Sequence, residues 1–184
     1  MYIEHLGVTT NFLFGAYDYH TNFGFMIGET PVTIGFAWLL VIGCSHEMAR
    51  GMTKGMKGIT KWVSFIAAGS LVTVTMDLIL DPVSYIIKHY WEWENEGVYY
   101  GIPLSNFIGW FLLASLFHTT GSLLLSKHAC NSSWERRMGL TFGLINGMFI
   151  LIAITGELFW AAILTAGLSV MWYFIYHWRV KKYA

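Results

Sequence analysis

Charged residues are scarce in this chain: Asp, Glu, Lys and Arg together make up 12% of its 184 residues, roughly half the share usual in a soluble domain. The two signs balance to a net charge of zero, which argues against a nucleic-acid partner. Cysteine occurs twice, at Cys44 and Cys130, each at the end of an apolar run and outside any CxxC pair. Neither a disulfide framework nor a thiolate metal site is written into such spacing. The histidines lie scattered at 5, 20, 46, 89, 118, 128 and 177, with no HxxxH or HxxHH box; a membrane di-iron oxygenase or desaturase is built on such boxes. There is no DDxxD for magnesium-diphosphate chemistry, and DLILDP is too sparse to replace it. Walker A and GxGxxG stretches are missing as well. Residues 1–6 lack the basic start and apolar core of a cleaved signal. No repeat or low-complexity tract is present. Neither a metal nor a redox cofactor is expected.

What fills the space is apolar. Hydrophobic residues make up 55% of the chain and aromatics 17%. Five apolar runs, at about 31–48, 62–81, 103–125, 138–154 and 158–178, each approach the roughly 20 residues that cross a bilayer. The fold class expected is all-α: one integral membrane domain over 1–184, a polytopic bundle of about five spans. Residues 1–30 show no sustained periodicity and read as an interfacial segment with at most one short helix. The sequence also places Gly51–x–x–x–Gly55 in a basic loop, where its helix-pairing meaning does not apply.

The charges orient the bundle. Arg50, Lys54, Lys57 and Lys61 fall between runs one and two, Lys127, Arg136 and Arg137 between three and four, and Arg179, Lys181 and Lys182 after run five. Only Lys88 falls on the other side, where Glu4, Asp18, Glu29, Asp81, Glu92, Glu94 and Glu96 collect. The basic side is expected to be cytoplasmic and the carboxyl terminus with it. Residues 1–30, the 82–102 loop and the 155–157 turn then face away from the cytoplasm. Trp91, Trp93, Tyr99, Tyr100 and Tyr85 would form an outer aromatic belt, and Trp172, Tyr173, Tyr176 and Trp178 an inner one.

One stretch, residues 77–110, concentrates the chemistry. An apolar helix carries Asp77 and Asp81 four residues apart, on one face with Thr73, and stops at Pro82. An acidic, aromatic loop follows, and a second apolar helix opens on Pro103 with Asn106 in its first turn. Carboxylates at such depth are functional candidates by default, the deeper and desolvated one keeping its proton. The plainer alternative leaves Asp81 ending its helix while Asp77 bonds a neighbouring one. Asn106 either orients a substrate or water, or caps its own helix. Trp110 and His118 share its stripe, His118 as a packing or hydrogen-bonding residue. Asn146 reads as a helix–helix bond. Glu157, in the short turn between runs four and five, is a solvated acid or one dipping towards the bilayer. His46 and Glu47 end run one on the basic side and carry no site.

MDLILDP at 76–82, WEW at 91–93 and YYGIPLSNFIGW at 99–110 resemble the carotenoid biosynthesis family of membrane proteins, which includes carotenoid 1,2-hydratases. EHLGVTT at 4–10, FGAYDY at 14–19 and PVTIGFAW at 31–38 are similar to the same family's amino-terminal pattern. The resemblance implies an enzyme of a bacterial cytoplasmic membrane that adds water to the terminal isopropylidene double bond of an acyclic carotenoid, giving a tertiary alcohol. A carboxylic acid must then protonate the less substituted alkene carbon, aromatic faces stabilise the tertiary cation, and water arrives last. On that reading Asp77 is the donor and Asp81 holds the water. Tyr17, Tyr19, Trp91, Trp93, Asn106 and Trp110 line the substrate site, with Glu4, Asp18 and Glu157 as further acids. The partners implied are the carotenoid and the bilayer. A carotenoid end-group cyclase, or a transporter or structural subunit, are the competing classes.

Overall fold

The computed structural model describes residues 14–20, 24–28, 30–94, 97–124 and 132–183. Five long helices dominate: α1 Val32–Met52, α2 Gly58–Pro82, α3 Leu104–Leu124, α4 Ser132–Thr155 and α5 Phe159–Tyr183. All five are long and apolar enough to cross a membrane. The all-α bundle expected from composition is therefore the fold. Helices α1 and α2 form its centre, each in contact with the other four, while α3 lies mainly along α2.

Local sequence explains most boundaries. Pro31, extended at φ −63° and ψ 136°, and Pro103 precede α1 and α3, where a missing N–H costs nothing. Pro82 does not behave as expected. It lies inside the helix instead of ending it, and the chain continues into a π-helical turn at Val83–Ile87. A proline leaves the carbonyl four residues back without its helical donor. Here that carbonyl belongs to Leu78, and it accepts a hydrogen bond from the Tyr99 hydroxyl at 2.8 Å. The 97–102 turn thus repairs the defect that Pro82 creates, and α2 with its π turn, Gly58–Ile87, is long and apolar enough to cross a membrane as one span.

The amino-terminal segment, expected to be interfacial, is described in part. Its described part forms strands, β1 Tyr17–Tyr19, β2 Met26–Ile27 and β3 Thr30–Pro31, with no helix among the described residues before α1. Strand β1 pairs antiparallel with β4, Trp91–Trp93, in the register Tyr17 to Trp93, Asp18 to Glu92 and Tyr19 to Trp91. Both tripeptides alternate aromatic and acid, so pairing places four rings on one face and two carboxylates on the other. The ribbon caps the bundle end to which Asp77 and Asp81 belong.

The opposite end is basic but not free of acids. Glu47 and Glu135 are both buried there. Arg50 pairs with Glu47 at 2.9 Å, and Lys54 pairs with Glu135 at 3.0 Å. Tyr176 of α5 also donates to Glu135, at 3.1 Å. This cluster ties α1, the following loop, α4 and α5 together. Gly51, expected in a loop, is in the last turn of α1 and lets the Tyr176 ring lie against the helix backbone.

Between the two ends, the polar residues of α2 each bond a different neighbour. Ser70 meets Ser115 of α3 at 2.9 Å, Thr73 donates to Ser45 of α1 at 2.8 Å, and Thr75 accepts from the Trp172 indole of α5 at 2.9 Å. On the far side Asn146 donates to Ser169 of α5 at 3.0 Å, the helix–helix bond expected of it. Such contacts substitute for the hydrophobic drive that lipid removes.

A methyl group at Gly51 would strike the Tyr176 ring and come within 3.1 Å of Glu135 Oε1. Gly51→Ala should therefore destabilise the protein by about 1–3 kcal/mol, the usual cost of overpacking. Gly147, with nothing within 4 Å of its added methyl, should tolerate alanine or gain up to ~1 kcal/mol from helix propensity. Thermal unfolding of both variants in detergent tests the contrast; equal Tm values would contradict the packing described.

Candidate functional site

Asp77 and Asp81, four residues apart, present both carboxyl groups to the first turn of α3. Asn106 enters that turn three residues after Pro103. Its amide nitrogen donates to Asp77 Oδ2 at 3.0 Å and to Asp81 Oδ2 at 2.6 Å. A primary amide has two N–H donors, and here each goes to a different carboxylate. Asn106 does not cap its own helix. All three side chains are out of solvent, with relative exposures of 0% for Asp77, 3% for Asp81 and 2% for Asn106. The shared amide brings the two oxygens within about 6 Å, where one negative charge opposes the other.

Tyr99 closes the site from the loop side. Burial pushes its phenol well above its usual range, with Tyr100 and the charges of Asp77 and Asp81 adding to the shift. It therefore stays a neutral donor to Leu78.

Beside the carboxyl pair lies a cavity of about 40 Å³. Its polar side is Asp81 and Asn106; its cap is Phe14, Tyr17, Tyr19, Trp91 and Trp93. Trp38 and Trp110 form a further wall, their rings stacked at 4.1 Å and 20°. Rings also interlock in the cap, Tyr17 on Tyr19 at 5.2 Å and on Trp93 at 5.0 Å. The Trp93 indole N–H has no hydrogen-bond partner among the described residues. Such a chamber has room for a water or two at one carboxyl, walled by π faces that favour positive charge.

Of the candidate residues, the structure brings together Asp77, Asp81, Asn106, Trp110, Tyr17, Tyr19, Trp91 and Trp93. Asp77 lies one turn deeper than Asp81 and is not on the cavity wall. Asp18 is left out: strand alternation turns it to the exposed face, opposite Glu92. Glu157 is exposed, in a turn with φ 62°, and is not on the cavity wall either. Glu4 lies outside the described residues. Sequence reasoning gave Trp38 no role in the site, although PVTIGFAW at 31–38 ends on it, and gave Tyr99 no role beyond an interfacial belt. His118 is the packing and hydrogen-bonding residue expected of it, reaching across to α1 with its imidazole 3.4 Å from Ser45 Oγ and 3.3 Å from the His46 ring. No group of three or more His, Cys, Asp or Glu able to hold a metal ion occurs among the described residues.

The family model described as carotenoid biosynthesis protein matches residues 1–175. No curated protein and no solved structure matches the chain.

The amide that bridges two buried carboxylates should show strong coupling to each. Removing Asn106 leaves both without that donor, at about 1–3 kcal/mol for each unsatisfied group. Asn106→Ala and Asp81→Asn should accordingly be non-additive by at least ~0.5 kcal/mol in a double-mutant cycle of unfolding. Strict additivity would mean that the bridge is not made.

Proposed function

The chain belongs to the carotenoid biosynthesis protein family, and from that premise we propose that it hydrates the terminal isopropylidene double bond of an acyclic carotenoid. The observation that carries the reading is a buried carboxyl pair bonded to one amide and opening, through Asp81, on an aromatic chamber.

The roles follow from access. Depth favours Asp77 as the acid, but proton transfer needs a donor within hydrogen-bond reach of the reacting carbon, and Asp81 is the carboxyl on the cavity wall. Asp81 delivers its proton to the less substituted alkene carbon, and the π electrons form the new C–H bond. The tertiary carbon left positive faces Trp110 and Tyr17, whose rings favour a cation, with the negative charge of the carboxyl pair beside it. Water then attacks the tertiary carbon and returns a proton to Asp81. The sum is alkene plus water to tertiary alcohol, with the acid restored. Asp77 acts through Asn106, holding the amide that positions Asp81.

The same reading sets the protein in a bacterial cytoplasmic membrane with its basic end inside. Reporter fusions after Ala184 should be cytoplasmic, and fusions near Glu94 external. The reverse pattern would exclude this orientation.

Expression in a lycopene-making bacterial host, with mass analysis of the pigments, tests the chemistry. Hydroxylated carotenoid should accumulate with the native chain. Asp81→Asn should lower conversion at matched protein level by orders of magnitude. Asp77→Asn should lower it by a smaller factor. A larger loss at Asp77 would return the donor's role to the deeper carboxyl; near-normal conversion in both would remove the pair from the chemistry. Cyclised pigment in place of alcohol would identify a cyclase.

A further inference from the structure

The chamber is too small for what it is proposed to bind. Ligand pockets usually measure about 300–1,000 Å³, whereas this cavity holds about 40 Å³. One of its walls must part for a substrate to reach Asp81. The wall made by α2 and the start of α3 is fixed by the Asn106 bridge. The cap is fixed by the pairing of β1 with β4. The third wall is the Trp38–Trp110 stack, with Ile34 and Ala37 beside it, and no backbone pairing holds it. Among the described residues this wall is flanked by exposed apolar side chains, Phe36 and Leu39 of α1 and Ile108 and Leu112 of α3.

The seam between α1 and α3 limits how far such an opening can extend. Towards the middle of the membrane, Phe117 leans on Trp38 with ring centroids 5.9 Å apart, yet is 38% exposed. At the next residue the seam closes. His118 is fully buried and lies within hydrogen-bonding distance of both Ser45 and His46. The space for its ring exists because position 69 is glycine; a Cβ there would come within 2.6 Å of the imidazole. Between the strand cap and His118, α1 and α3 are therefore joined by no hydrogen bond among the described residues, and that stretch of the seam can open as far as His118.

We propose that the polyene reaches the site laterally from the bilayer between α1 and α3, parting the Trp38–Trp110 stack, with its end group at Asp81 and its chain leaving over Phe117. The inference rests on the reading of the cavity as a carotenoid end-group site. It explains why the buried stack lies on the cavity wall while apolar side chains beside it on both helices, Phe36, Leu39, Ile108 and Leu112, are exposed. It also gives the buried His118 contacts a role, as the stop that keeps the opening in the outer half of the seam.

A photoreactive benzophenone side chain in place of Phe117 tests the route in membranes containing lycopene, with Phe174 on α5, exposed at 72%, as the lipid-facing control. Irradiation should attach the polyene at position 117 at least tenfold more than at 174. A second probe at position 38 should attach nearer the end of the chain than the probe at 117, as mass spectrometry of the adduct would read. Equal labelling at 117 and 174, no labelling at 117, or attachment in the reverse order would overturn the proposal. Where the position-38 variant does not insert, the 117-to-174 ratio decides alone. Labelling is measured in both the native and the Asp81→Asn background. Strong labelling at 117 together with full conversion by Asp81→Asn would overturn the catalytic reading and leave the route standing. The converse, loss of conversion without labelling, would do the opposite.

Discussion

Two carboxylates buried at a membrane helix's end are the constraint around which the rest of this molecule is arranged. Desolvating a charge costs several kcal/mol even after a protein has relaxed around it, so the pair must be met by donors fixed in advance. Asn106 supplies two from one side chain. It can do so only if α3 begins where it does, and Pro103 fixes that start. The chain must also turn back between the end of α2 and Pro103, a demand met by the π turn at Val83–Ile87 and the 97–102 turn. Tyr99 then both closes the loop side of the site and satisfies the carbonyl that Pro82 strands. Removing any one of these would take a hydrogen-bond partner from a buried carboxylate or carbonyl in a medium that supplies no replacement.

The two ends of the bundle solve the same problem differently. At the basic end, Glu47 and Glu135 are met by Arg50 and Lys54 in ion pairs, contacts between full charges that suit a fixed structure. At the other end, Asp77 and Asp81 are bridged by a neutral amide. An amide can hold a carboxyl group in place without the strong preference for ionisation that a guanidinium imposes. The first arrangement suits a clasp between helices; the second suits an acid that must give up a proton and regain it. Burial alone does not distinguish the two clusters; among the described contacts, the shared Asn106 amide does.

The features legible in the sequence were those that depend on one helix. The four-residue spacing of Asp77 and Asp81 sets them on one face whatever surrounds them, and a first-turn Asn106 is placed by its distance from Pro103. Apolar run length identified the five helices, though α1 runs on to Met52 and α4 starts at Ser132, because polar residues close a helix end on a partner as well as on water. Pro82 was misread because its local rule was applied without Tyr99, which lies 21 residues along the chain from the Leu78 carbonyl it bonds. The β1–β4 ribbon was missed for the same reason. YDY and WEW carry matching alternation, but three residues are too few to announce a strand, and their pairing joins distant parts of the chain. Trp38 was hidden by its setting, since a tryptophan in an apolar run looks the same facing lipid or a cavity. Glu47 was read by its place at the basic end of run one and Glu135 was not read at all, whereas both are buried in ion pairs.

The polar residues inside the bundle bear on the competing class of transporter. Thr73, Ser45, His118 and His46 continue from the carboxyl pair towards the basic end, so polar groups are not confined to one end of the membrane. A transport path needs those groups to line a space through which a solute or proton passes. Here they are spent on one another: Thr73 donates to Ser45, and Ser45 lies within hydrogen-bonding distance of His118. The His118 ring occupies the space that Gly69 leaves, and the His46 ring lies 3.1 Å from where a Cβ at Gly121 would be. Each contact joins two helices, and together they bind α1, α2 and α3 at mid-depth, as interhelical hydrogen bonds do in lipid. The cavity, by contrast, lies against Asp81 and the aromatic cap. An enzyme acting on the end of a long apolar molecule needs that asymmetry, a closed interior below and a wall that can part above, because its substrate must enter by one end and leave the same way.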